Sequence, residues 1–265
     1  MFDLVAHGPD TYVGVGPRYP WGGLYGGQIV AQALRAATLS VPEQFTPHSI
    51  RAYFIRRGDH TEPVRYEVDR IRNGRSFVTR RVVARQAIGA ILNAECSFQR
   101  PEQSPTVQTL TMPDAPGPDG LADVSFSEHF ERREVPSEQL VGNCDGAGRY
   151  AAWFRAKADL HEAAPVLHEC WLAFISDDLP TGAVFNTLWP DRAPGEHGPP
   201  GVMSVSLDHT VWFHRPLRAD EWHLHEMTCH FVGGARGLAF GHVFSAAGEH
   251  VASLAQEVLI RVPAE

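Results

Sequence analysis

Apolar and polar positions fall into the same succession of patterns twice along this chain. In the first stretch, Gln28-Ile29-Val30-Ala31-Gln32-Ala33-Leu34-Arg35-Ala36-Ala37 repeats apolar residues at helical spacing. It has no Gly or Pro in its interior and is rich in alanine, which predicts a helix. Strand signals follow. Arg51 to Ile55 and Val64 to Val68 carry β-branched and aromatic residues, and Phe77 to Arg85 is a further candidate. Leu92, Ala94, Cys96 and Phe98 alternate with Asn93, Glu95, Ser97 and Gln99, the period of a half-buried strand. In the second stretch a helical run, Val166 to Ile175, precedes strand candidates at Met203–His214, His223–Phe231, Leu238–Ser245 and His250–Arg261.

Between the two lies Pro101 to Pro118, with further prolines at 105, 113 and 116. That density excludes a regular helix or a central strand and reads as a linker. The flanking halves share spacings as well as order. Arg75 precedes Arg100, and Arg236 precedes Arg261, by the same interval, and Tyr53-Phe54 corresponds to Trp212-Phe213. The expected organisation is a first unit over 1–100, a linker over 101–140 and a second unit over 141–265. Each unit is a small-residue helix against antiparallel strands. The fold class is therefore α+β, with two fused helix-plus-sheet units that join edge to edge in one continuous sheet and so protect their edges.

Composition narrows the function. The 265 residues are 43% hydrophobic and 20% charged, enough apolar material for one large core or two smaller ones. A formal charge of -8 argues against a sequence-independent grip on nucleic acid. No stretch approaches the ~20 apolar residues of a membrane span. The start, Met1 to His7, lacks the basic and apolar runs of a signal peptide. Cys96, Cys144, Cys170 and Cys229 are scattered and form no CxxC pair, so a reducing cytoplasm is expected and neither disulfides nor zinc.

Five stretches carry a family resemblance. They are Gly26-Gly27-Gln28-Ile29-Val30-Ala31-Gln32-Ala33-Leu34, Tyr53-Phe54-Ile55-Arg56-Arg57-Gly58-Asp59, and Arg72-Asn73-Gly74-Arg75-Ser76-Phe77 with Arg80-Arg81-Val82. Asp208-His209-Thr210-Val211-Trp212-Phe213-His214-Arg215-Pro216 and Ala252-Ser253-Leu254-Ala255-Gln256-Glu257 complete the set. In this order the sequence resembles the double-hotdog acyl-CoA thioesterase II family, the bacterial TesB-like enzymes and their peroxisomal relatives. The resemblance implies hydrolysis of fatty acyl-CoA without a cofactor, and assembly into a homo-oligomer. It also implies that an Asp, a Thr and a Gln hold the attacking water. These map to Asp177, Ser206 and Gln256. Ser stands where the family has Thr, Arg57 where it usually has Pro, and Asp178-Leu179-Pro180 departs from the usual run after the Asp.

The residue types suit the chemistry. A carboxylate can take a proton from water, and a hydroxyl and an amide can each donate and accept to orient it. Backbone N–H groups at Gly26, Gly27 and Gln28, opening the first helix, are candidates to meet the oxyanion, since glycine lets a ligand approach the backbone. Read without the family, Asp177 is also a helix end and Ser206 an ordinary strand hydroxyl. Gln256 says more, because it alternates with Leu254, Val258 and Ile260, and a polar group on an apolar strand face needs a partner.

Other clusters carry less. His223, His225 and Cys229 fall on one strand face and His230 on the other, which spoils a metal site. Arg70, Arg72, Arg75, Arg80 and Arg81 can meet CoA phosphates or simply line a solvated edge. No Gly-x-Ser-x-Gly elbow, phosphate loop or dinucleotide fingerprint is present. Two rivals remain: a non-catalytic acyl-CoA binder, and an enoyl-CoA hydratase, for which the His expected near Asp-Asn-Pro is missing.

Overall fold

The computed structural model of the protein describes residues 1–140, 148–191 and 198–262. Cys144 lies outside them. The first unit opens with two short strands, β1 (Val5–Ala6) and β2 (Thr11–Gly14). The helix α1 (Gly26–Thr38) follows, then β3 (Thr46–Phe54), β4 (Val64–Asn73), β5 (Phe77–Gln86) and β6 (Gly89–Gln99). The helix is buried along almost its whole length. Ala31, Ala33, Ala36 and Ala37 have no exposed surface, so the sheet closes on the helix with little side-chain volume between them. Gln32 is equally buried. Its amide donates to Met1 O and Val15 O, and its carbonyl accepts the Tyr66 hydroxyl at 2.7 Å.

The second unit repeats this plan with one more helix and one more strand. Two strands, β7 (Phe130–Val135) and β8 (Arg149–Ala156), precede two helices, α2 (Pro165–Ile175) and α3 (Leu179–Leu188). Then come β9 (Met203–Ser206), β10 (Asp208–Phe213), β11 (His223–Gly233), β12 (Arg236–Ser245) and β13 (His250–Arg261). The run expected as one strand from Met203 is thus two, parted at Leu207. There the Asp208 carboxylate accepts the Glu257 N–H at 2.7 Å.

The thirteen described strands form one antiparallel sheet. Its order is β1-β2-β4-β5-β6-β3 through the first unit and β10-β13-β12-β11-β8-β7 through the second, with β9 also on β13. The units meet where β3 pairs with β10. The register is symmetric about Arg51 opposite Thr210, with Tyr53 facing Asp208 and Ser49 facing Trp212. A twofold through that pair lays Tyr53 on Trp212, the correspondence expected from the sequence.

From Pro101 to His129 the chain forms no helix and no strand longer than an isolated bridge. It lies against the outer side of the second unit, where Met112, Ala115 and Leu121 pack on Val135, Ala151, Trp153 and Leu224. The Trp153 indole N–H donates to Pro116 O at 2.8 Å. Part of the expected linker, Phe130 to Val135, is strand β7, paired along its length with β8.

Candidate active site

A broken helix delivers the first residue of the site. Where the first unit has one helix, the second has α2 and α3, separated at Ser176-Asp177-Asp178. Pro180 supplies the reason. In a continuous helix its ring would collide with the carbonyl of Ser176, and it has no N–H to bond there. At the start of α3 the same proline is tolerated. The break leaves Asp177 off the helix axis, 8% exposed and aimed back towards α1.

The other groups come from the second unit's strands. Ser206 ends β9 opposite Val258 of β13, on the face that buries Val258 and Gln256. Gln256 has no exposed surface. Its Nε2 donates to Ser206 Oγ at 2.8 Å, and the Ser206 hydroxyl donates to Asp177 Oδ1 at 3.3 Å. The Gln256 amide and the backbone N–H of Gly27 also favour the charged form of the Asp177 carboxyl. The three residues singled out from the sequence are therefore brought together by a helix break, an edge of β9 and the middle of β13.

The first unit contributes the start of α1. A methyl group on Gly26 would stand 2.5 Å from Asp177 Oδ2, and one on Gly27 would stand 2.1 Å from Phe174 O. Gly27 admits no side chain, and one on Gly26 would push the Asp177 carboxylate aside, so glycine here is a matter of space. No side chain caps this helix and its first turn holds no acid, which leaves the positive end of its dipole facing Asp177. Gln28 is placed differently. Its Oε1 accepts the Tyr19 hydroxyl at 2.8 Å, its amide packs on Gly16, and its backbone N–H reaches Tyr25 O at 3.2 Å.

Burial raises the Asp177 carboxyl to about 7, against the pull of its hydrogen bonds from Gln256, Gly27 and Ser206 and with a push from Asp178. A carboxyl at that value is poised to take or give a proton near neutrality.

Two neighbours complete the network. His209, fully buried on β10, brings Nδ1 to 2.5 Å from Gln256 Oε1, and its Nε2 stands 2.8 Å from Ser176 Oγ. Sequence reasoning assigned neither residue a role. The signal was present, since His209 alternates with Val211 on the inward face and, like Gln256, needs a partner there.

The remaining candidates lie elsewhere. Arg70 pairs with Asp10 and Arg81 with Asp69, and Arg80 is wholly buried, bonded to Ser40, Asn73 and Arg72 O. Of the five arginines proposed for CoA phosphates, Arg80 is out of reach of any ligand, and Arg72 and Arg75 are exposed. His223, His225 and Cys229 face inward and His230 outward, as alternation requires. Among the described residues no three His, Cys, Asp or Glu side chains group to hold a metal ion, and no helix is long and apolar enough to cross a membrane. A surface depression of about 310 Å³ opens on the outer face of the β3–β10 seam, lined by Arg51, Tyr53, Asp208, Thr210 and Trp212. It contains none of the three clustered residues.

The two wrapped helices and continuous sheet define a double hotdog. A protein with a hotdog fold from Alicyclobacillus acidocaldarius superposes with a TM-score of 0.77 at 19% identity, over 99% of this chain and 97% of that one. Closer relatives give the class of chemistry. Residues 16–99 match the model of the acyl-CoA thioesterase N-terminal domain, and residues 101–260 that of the C-terminal domain. Acyl-coenzyme A thioesterase 8 of Mus musculus is 36% identical, covering 90% of this chain and 80% of its own. The crystal structure of an acyl-CoA thioesterase II, TesB2, from Mycobacterium marinum is 36% identical with a TM-score of 0.85, over 99% of this chain and 96% of that one. The chain belongs to the TesB-like acyl-CoA thioesterase II family and is a hydrolase of that kind.

Proposed function

We propose that Asp177, Ser206 and Gln256 hold and activate the water that cleaves a fatty acyl-CoA thioester. The observation that carries this reading is the single hydrogen-bonded cluster these residues form beside the uncapped start of α1. Asp177 is the base. It takes a proton from water as the water oxygen bonds the thioester carbon, and the carbonyl electrons move onto its oxygen. Ser206 and Gln256 orient the water, Ser206 through its hydroxyl and Gln256 through its amide N–H side. The N-terminus of α1, at Gly26 and Gly27, faces the oxyanion and favours it electrostatically. When the oxyanion collapses, the carbon–sulfur bond breaks. The leaving thiolate takes the proton from Asp177, giving free acid and CoA and restoring the carboxylate.

The carboxyl's position near 7 supports this role, since general-base catalysis is most effective when the base titrates near the working pH. Phe54 lies against Gly26, Tyr25 and Phe174 lie against Gly27, and Phe126 packs on Tyr25, an apolar surround suited to an acyl chain. Thiol release from a panel of acyl-CoA esters of different length tests the function. Release by the parent and its loss in Asp177→Asn is the expected result. A parent that binds acyl-CoA but releases no thiol would make the protein a binder instead, and hydration of crotonyl-CoA would make it a hydratase.

A further inference from the structure

His209 and Gln256 meet at 2.5 Å, and Gln256 Oε1 can only accept. The proton of that bond therefore sits on His209 Nδ1. Burial lowers the imidazole to about 4 and keeps the ring neutral at working pH. Nε2 is then a bare acceptor, and the Ser176 hydroxyl, 2.8 Å away, turns its one proton to it rather than to Ala173 O at 3.1 Å. With Oε1 committed to His209, the Gln256 amide turns Nε2 to Ser206, to which it donates at 2.8 Å, on the side of the Asp177 carboxyl whose charged form it favours. The opposite flip would set a carbonyl oxygen against the Asp177 carboxylate. The bonds run Ser176 to His209, Gln256, Ser206 and Asp177, and the peptide between Ser176 and Asp177 closes the ring.

The duplicated fold closes its core at the equivalent place without such a pair. The seam twofold lays Thr210 on Arg51 and Ala255, its partner, on Glu95. One step further, His209 and Gln256 fall on Ile50 and Cys96, which face each other in register. Both are fully buried. The first unit thus closes its core at these positions with apolar side chains. The second unit has a histidine and a glutamine there, in the half that also carries Asp177 and Ser206.

We propose that His209 is a positioning residue for hydrolysis, acting through Gln256 by fixing which end of its amide faces Ser206 and Asp177. The inference rests on the proposed water-holding role of Gln256. His209→Leu keeps the apolar volume and removes the donor, whereas His209→Asn keeps an N–H near the position of Nδ1.

The test measures kcat and KM for these variants, alone and combined with Gln256→Ala, with thermal melts as the folding control. The expected result is an approximately 10-fold lower kcat for His209→Leu with KM within about twofold, the scale of one lost hydrogen bond. His209→Asn should recover to within about threefold of the parent. In the Gln256→Ala background His209→Leu should cost nothing more, because its effect passes through that amide. Full turnover by His209→Leu, or losses that multiply in the double variant, would overturn the proposal. Nitrogen-15 spectra of labelled histidine read the parent directly, and a ring protonated at Nε2 would overturn it too, whether or not His209→Leu folds. If Asp177→Asn instead stays active, the water-activation reading fails, while the tautomer and the coupling to Gln256 remain readable by the same experiments.

Discussion

Gly26 of the first unit and Asp177 of the second approach so closely that a methyl group on the glycine would lie 2.5 Å from the carboxylate and 3.0 Å from the Phe54 ring. The site is therefore shared. Three side chains come from the second unit, and the helix end they face comes from the first. Gly26→Ala should displace the carboxylate by a sizeable fraction of an ångström. A loss in kcat/KM of about 10²-fold is expected, the scale on which small misplacements act. Steady-state kinetics with melting as a control checks this. Parental turnover in the alanine variant would show that the contact is spare room.

Asp177→Asn keeps the shape of the proposed base and removes its basicity. A drop in kcat of ~10²–10⁴-fold with little change in KM is expected. In the parent, the rate should rise with pH through a value near 7 and then level, because the carboxyl must be ionised to act.

Stability should move the other way at the same residue. Asp177 titrates near 7 when folded and near 3.8 when unfolded. Between those values the folded chain keeps a proton that the unfolded chain releases, so its contribution to stability is present at low pH and lost as pH rises to 7. Asn carries no such cost. Asp177→Asn should therefore melt higher than the parent at pH 8, by an amount that shrinks towards pH 4. Calorimetry across that range decides the sign.

Ser206 stands where the family resemblance implies a Thr, and its 3.3 Å bond to Asp177 is the longest in the cluster. Threonine's extra methyl restricts χ1. Ser206→Thr should keep the activity or raise it modestly, and Ser206→Ala should lose about 10-fold, the scale of a missing hydrogen bond. An alanine variant as fast as the parent would leave the water to Asp177 and Gln256 alone.

Buried imidazoles set the acid limit. Burial lowers His209 to about 4 and His223 to about 3, and it lowers His225 as well. Each would take a proton near 6.5 in the unfolded chain. Their contribution to stability is thus present above 6.5 and lost as pH falls towards 4. The melting temperature should drop steeply between pH 6.5 and 4.5. Replacing His225 with Leu should flatten that slope, and an unchanged slope would show that other groups set it.

What the sequence made legible was whatever a local pattern or a family motif encodes. The alanine-rich helix at Gln28 and the strand at Leu92 to Phe98 belong to that kind, and so does the choice of Asp177, Ser206 and Gln256 as residues that cluster. The helix α3 was not legible, because Leu179 to Leu188 mixes Pro180, Gly182, Thr181 and Val184, and its stability comes from packing on β11 and β12. Gly182 shows why. A methyl there would meet the Tyr150 ring at 2.2 Å, so a poor helix former is kept for close contact. The role of His209 was equally hidden. Its partners lie 33 and 47 residues away, and no local spacing reports a hydrogen bond of that span.

The pairing of β3 with β10 decides what either half could do alone. Joined, the sheet ends at β1, two residues long, and at β7, six residues long. Cut at the linker, each half would gain a bare inner rim: nine residues of β3 on one fragment and β10 on the other. Rows of unpaired N–H and C=O groups of that length recruit another strand. Separately made halves would therefore be sticky, each a template for its missing partner or for a second copy of itself. Continuous synthesis resolves that choice, because the tether delivers the right strand first and keeps the start of α1 in front of Asp177.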